Sequence, residues 1–95
     1  MRMEEDNAET EKIKYEITRK LFIRPVRHDC FRRLSKKEKR FIEEYAGFTG
    51  IEMRVFDLRC KGMSFDAIAA KLGYHPRYCY AIGRRIREQI AYLIQ

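Results

Sequence analysis

Hydrophobic positions along this chain recur mostly at helical spacing. Between Lys12 and Ile23, the residues Ile13, Ile17 and Leu21 share one helix face, although Ile13, Tyr15 and Ile17 also alternate as a strand would. No partner strand is evident elsewhere, so a helix is expected. It should end before Pro25, because proline disfavours helix in the residue ahead of it. Two later segments open with Ser or Thr followed three residues on by Glu, the spacing of a capping box: Ser35 with Glu38, and Thr49 with Glu52. The first predicts a helix over 36–46 with Phe41, Ile42 and Tyr45 on one face and Gly47 as its stop. The second predicts a helix over 50–61 with Ile51, Val55, Leu58 and Cys60 inward and Gly62 as a left-handed cap. Ser64 is a good cap for a short helix over 65–72 that turns Ile68, Ala69 and Leu72 inward before Gly73 breaks it. The last helix starts near Pro76, whose missing N–H costs nothing in a first turn, and can run to Leu93. Its inward positions Cys79, Ile82, Ile86 and Ile90 are spaced three, four and four. The pattern therefore predicts an all-α fold, a small domain of four to five helices ending in a helix-turn-helix. The expected organisation is an acidic flexible tail over 1–11, an N-terminal helix and Arg-rich connector over 12–33, and the helix-turn-helix domain over 34–95.

The segment SFDAIAAKLGYHPRYCYAIGRRI carries the most specific signal. Two helices that cross steeply need a small residue at the crossing, and Ala69 supplies one. The turn between them needs a residue that tolerates positive φ, and Gly73 lies four residues later. Tyr74 is placed to plug the gap between the helices, and Cys79 and Ile82 to hold the second helix on the first. The alternative is an ordinary helical hairpin in a bundle.

The longer stretch IEMRVFDLRCKGMSFDAIAAKLGYHPRYCYAIGRRIREQI resembles the DNA-binding region of LuxR-type response regulators and of sigma factor region 4. The matching residues are Leu58, Gly62, Ser64, Ile68, Ala69, Leu72 and Gly73. The portion LGYHPRYCYAIGRRI is also similar to short sigma-like regulators of phages and integrated elements. The resemblance implies transcription control by binding double-stranded DNA. The chain departs from it at Cys79, where those families usually have Val, and at Pro76 and Tyr78, so the target sequence is left open. The first 33 residues carry no such likeness.

Charge adds to this picture through its distribution. The net charge is +7 over 95 residues. Residues 1–11 hold Arg2 against five acids, whereas Arg24, Arg27, Arg32, Arg33, Lys36, Lys37, Lys39 and Arg40 face only Asp29 and Glu38. Clustered basic residues suit a polyanion: DNA, RNA or an acidic membrane surface. On the last helix, the face turned away from Cys79 and Ile82 holds Arg77, Tyr80, Ala81 and Arg84. These are the candidate base contacts, Arg77 first, because a guanidinium fork grips guanine O6 and N7 together. Ser64 and His75, at helix starts, are placed to meet phosphate. Lys71, Arg85 and Arg87 are phosphate neutralisers or solvated charges, and Lys36 and Lys37 are further phosphate candidates. The basic run straddles a helix start, where positive charge opposes the helix dipole, and bound phosphate would offset that cost.

Other classes are poorly supported by the residues. There is no Ser/His/Asp or Cys/His arrangement at plausible spacing, no Gly-rich phosphate loop and no cluster of carboxylates, so an enzyme is not expected, nor a cofactor. Cys30, Cys60 and Cys79 are odd in number and widely spaced, which argues against a disulfide framework. With His28 and His75 they lack the close pairs of a structural zinc site, so no metal is expected and the cysteines read as small hydrophobes. No run approaches the length of a membrane span, and the acidic N-terminus lacks the apolar stretch of a secretory signal, so the expected compartment is the cytoplasm. The competing functions are a protein-interaction module of the sigma region 4 type, which contacts RNA polymerase or an anti-sigma protein, and a phage packaging or recombination accessory. A homodimer is expected, centred on the C-terminal helix, whose end from Ile90 to Ile94 is apolar, or on the N-terminal helix. The alternative is that this end packs on Ile13, Ile17 and Leu21.

Overall fold

Side-chain caps set most of the helix starts. The computed structural model describes residues 3–23 and 30–95, with side chains from residue 8 onward in the first segment. Arg24, Pro25, Arg27, His28 and Asp29, and the expectations that rest on them, lie outside the described residues. Ser35 and Thr49 each accept the N–H three residues on, and the Glu at that position returns a bond to the cap's own N–H at 2.8 and 2.9 Å. Both capping boxes therefore form. They start α2 (Lys36–Tyr45) and α3 (Gly50–Cys60). Ser64 starts α4 (Phe65–Leu72), and His75 starts α5 (Pro76–Leu93). An N-terminal helix α1 (Met3–Leu21) and a 3-10 turn (Cys30–Arg33) come before them. The chain is all-α, with five helices and no strand among the described residues.

α1 starts well ahead of the expected Lys12, so the stretch expected as a flexible tail is helical from Met3. Glu and Ala are good helix formers, and carboxylates at a helix N-terminus complement the macrodipole. Polarity alone suggests a tail, but these residues are also helix-competent.

The core is built from Ile17 and Leu21 of α1, Ile42 of α2, Val55, Phe56 and Leu58 of α3, Ile68 and Ala69 of α4, and Cys79, Ile82, Ile86 and Ile90 of α5. Cys30 and Phe31 of the 3-10 turn join it. Ile51 and Leu72, expected fully inward, lie half-buried at its margin. Phe56 was not expected inside. It is fully buried beside Val55 because α3 is covered from more than one side, by the 3-10 turn, α4 and α5. A single apolar stripe is the signature of a helix with one buried face, and α3 has more than one. Tyr45, expected on the inner face of α2, is instead 48% exposed, its ring leaning on Phe41 at 5.1 Å. At the other end of the chain, Ile90 and Ile94 join the same cluster as Ile17 and Leu21. No helix among the described residues is long and apolar enough to cross a membrane.

Candidate functional site

α4 and α5 make the most extensive helix pair in the molecule, joined by the turn Gly73–Tyr74–His75. Gly73 ends α4 in the left-handed region, at φ 79°, where a Cβ would be strained. The His75 side chain then accepts the Arg77 N–H through Nδ1 at 3.1 Å, and Pro76 occupies the first helical turn, so α5 starts with a satisfied cap. Ala69 is buried on α4, and Gly83 of α5 lies under the Phe65 ring so closely that an added Cβ would fall 2.4 Å from Phe65 Cζ. Phe65 is held on its other sides, by the Arg59 guanidinium 4.5 Å from its centroid and by Tyr80 at 5.0 Å. Gly83 was not singled out in the sequence, although a glycine inside an otherwise good helix is a signal of close approach.

A buried carboxylate fixes the rotation of α5 from beneath. Glu52, 1% exposed, accepts the Thr49 N–H with Oε1 and binds Arg85 Nε with Oε2 at 3.0 Å. Burial alone would raise its pKa, but the Thr49 backbone and Arg85 together outweigh that and hold the carboxyl below its ordinary range.

With α5 fixed in this way, its arginines divide. Arg87 turns inward: it donates to the Leu21 carbonyl and lies over the Phe22 ring at 4.9 Å, tying α5 to the end of α1. Arg85 is held by Glu52. Both were expected to face phosphate or solvent. Arg77 and Arg84 are exposed and have no ion pair or side-chain hydrogen bond among the described residues. Ala81 lies between them, half-buried. At roughly 100° per residue, Arg77, Ala81 and Arg84 fall within about 60° of one another, on the side of α5 opposite Cys79, Ile82 and Ile86. The structure thus brings these three together as one outward stripe. Tyr80 lies beside it, about 40° beyond Arg84 on the side away from Ala81. It is turned toward Phe65 and remains 49% exposed. Tyr74 does not plug the helix pair; it is 42% exposed, and its ring leans on Tyr78 at 5.0 Å. Glycine and the Phe65 ring already let the two helices meet closely, which leaves Tyr74 outside. Ser64 and His75 spend their side chains on caps, and Lys71 is exposed on the last turn of α4.

The basic start of α2 is partly neutralised from within. Lys37 pairs with Glu9 of α1 at 2.9 Å and Lys39 with Asp57 of α3 at 2.7 Å, whereas Lys20 of α1 takes up Glu38, an acid of α2 itself, at 2.7 Å. Lys39's hydrogen bond holds the Asp57 carboxyl below its ordinary range. Glu9 and Asp57 supply part of the offset that bound phosphate was expected to give. Lys36 and Arg40 are exposed and unpaired among the described residues. Burial pushes the Cys60 thiol up to about 12 and the Cys79 thiol upward, so both act as small apolar side chains. Among the described residues no group of His, Cys, Asp and Glu could hold a metal ion. No family model matches the chain, and no curated protein or solved structure does.

Proposed function

We propose that this protein binds double-stranded DNA as a transcription regulator, with α4 and α5 as a helix-turn-helix of the LuxR or sigma region 4 kind and α5 as the reading helix. The observation that carries this reading is the outward stripe of Arg77, Ala81 and Arg84, opposite the core face of α5. Two unpaired guanidinium groups on a well-anchored helix are suited to guanine edges, and the Ala81 methyl to a thymine methyl. Lys36 and Lys71 act as phosphate contacts, joined by Lys37 once it leaves Glu9, and the protein works in the cytoplasm. Arg77→Ala tests the assignment. It should cost about 1–3 kcal/mol at a preferred site and relax the preference at one base position. An equal loss on preferred and random duplexes would make Arg77 a phosphate contact.

A second reading has its own support. Tyr74, Tyr78 and Tyr80 stand half-exposed around the start of α5, and tyrosine and arginine are enriched at protein interfaces. A polymerase or anti-sigma partner docking there would be disturbed by Arg77→Ala without any accompanying change in DNA binding.

A further inference from the structure

The stripe on α5 has a tyrosine on each side. Counting roughly 100° per residue from Arg77, Tyr78 lies about 100° round one way and Tyr80 about 60° round the other. Both side chains reach solvent, at 44% and 49% exposure. Each ring is braced by another aromatic ring at 5.0 Å, Tyr78 by Tyr74 and Tyr80 by Phe65. A braced ring loses little conformational freedom when its hydroxyl is engaged. No side-chain hydrogen bond to either hydroxyl occurs among the described residues.

A helix with its side chains is about 10–12 Å across, and the major groove is about 12 Å wide. When the outward stripe faces the base edges, side chains on the two flanks meet the walls of the groove, which are phosphates. We propose that Tyr78 and Tyr80 are phosphate contacts, one to each strand, that hold α5 in the groove through neutral hydroxyl donors. This rests on α5 being the reading helix. It also moves Tyr80 from the base-reading set to the positioning set. Tyrosine is among the side chains that donate to phosphate oxygen, and such contacts fix register without reading sequence.

Neutral donors leave a signature that cations do not. A lysine or arginine on a phosphate releases a counterion and steepens the dependence of affinity on salt, whereas a hydroxyl releases none. The test is Tyr78→Phe and Tyr80→Phe, each of which keeps the braced ring and removes only the oxygen. Affinity for a labelled random-sequence duplex, and for a duplex selected by the wild-type protein, is measured over a series of salt concentrations. Each substitution should weaken binding about ten- to hundredfold, the range for one hydrogen bond to a charged acceptor, equally on both duplexes and with the salt slope unchanged. Unchanged affinity in both variants overturns the proposal, as does a loss confined to the selected duplex, which would make the tyrosine a base contact. If the wild-type protein binds neither duplex, the reading of α5 fails first and this inference with it. A wild-type protein that binds while the Phe variants bind equally well sinks the inference alone.

Discussion

Arg84 and Arg87 lie less than one turn apart on α5, and their surroundings give them different work. Arg87 donates to the Leu21 carbonyl and covers Phe22, so Arg87→Ala removes both a hydrogen bond and a packed stem. The expected loss is about 1–2 kcal/mol in urea unfolding. Arg84→Ala, which removes an exposed side chain, should stay within about 0.5 kcal/mol. Equal effects would mean that the inward turn of Arg87 contributes nothing. Helical phase made the outward position of Arg77 and Arg84 legible in the sequence. The use of Arg87 was not legible, because its partner is a backbone carbonyl 66 residues away and carries no side-chain signal. Glu52 shows the same limit. Its place in a capping box could be read locally, but its bond to Arg85 could not. A carboxyl held below its unfolded value contributes stability above that value, and the contribution is lost as pH falls through the folded value. Glu52 and Asp57 both behave this way, so stability should decline as pH falls below the ordinary values, about 4.5 for Glu52 and 3.8 for Asp57. Glu52→Gln should lower stability at neutral pH and make this decline shallower. A pH profile identical to the wild type's would remove Glu52 from the account.

At the scale of elements, starts and stops were the most readable features. Ser35, Thr49 and Ser64 cap as expected, and Gly47, Gly62 and Gly73 all take positive φ. These signals are local, so the sequence displays them directly. The closeness of α4 to α5 is not local, and Gly83 is its clearest marker. In an exposed helix, Gly→Ala stabilises by about 1 kcal/mol. Here the new methyl would fall 2.4 Å from a ring already held by Arg59 and Tyr80. Gly83→Ala is therefore expected to lower the thermal midpoint despite its better helix propensity, since overpacking typically costs about 1–3 kcal/mol. A raised midpoint would show that Phe65 swings aside freely.

At the scale of the whole molecule, the five helices share one core, and the apolar end of α5 belongs to it through Ile90 and Ile94. The alternation that left α1 open between helix and strand is settled by that core, where Ile17 and Leu21 are buried while Tyr15 is 60% exposed. We propose that the chain pairs on two half-sites as a homodimer, since one small module reads few base pairs. Tyr92, 79% exposed near the end of α5, is the residue to test. Tyr92→Asp should shift a dimer to monomer in sedimentation and leave the fold intact, and a wild type that sediments as a monomer both free and on DNA would exclude pairing. The central claim is sequence-selective duplex binding through the outward face of α5. Its most direct test is to incubate the protein with a random-sequence duplex pool over a range of salt concentrations and sequence the bound fraction. Affinity should fall linearly with salt on logarithmic axes, by a slope of about 0.9 for each phosphate neutralised, and the bound fraction should converge on one motif that Arg77→Ala blurs. No binding at low salt, or a motif that persists unaltered in Arg77→Ala and Arg84→Ala alike, would contradict it.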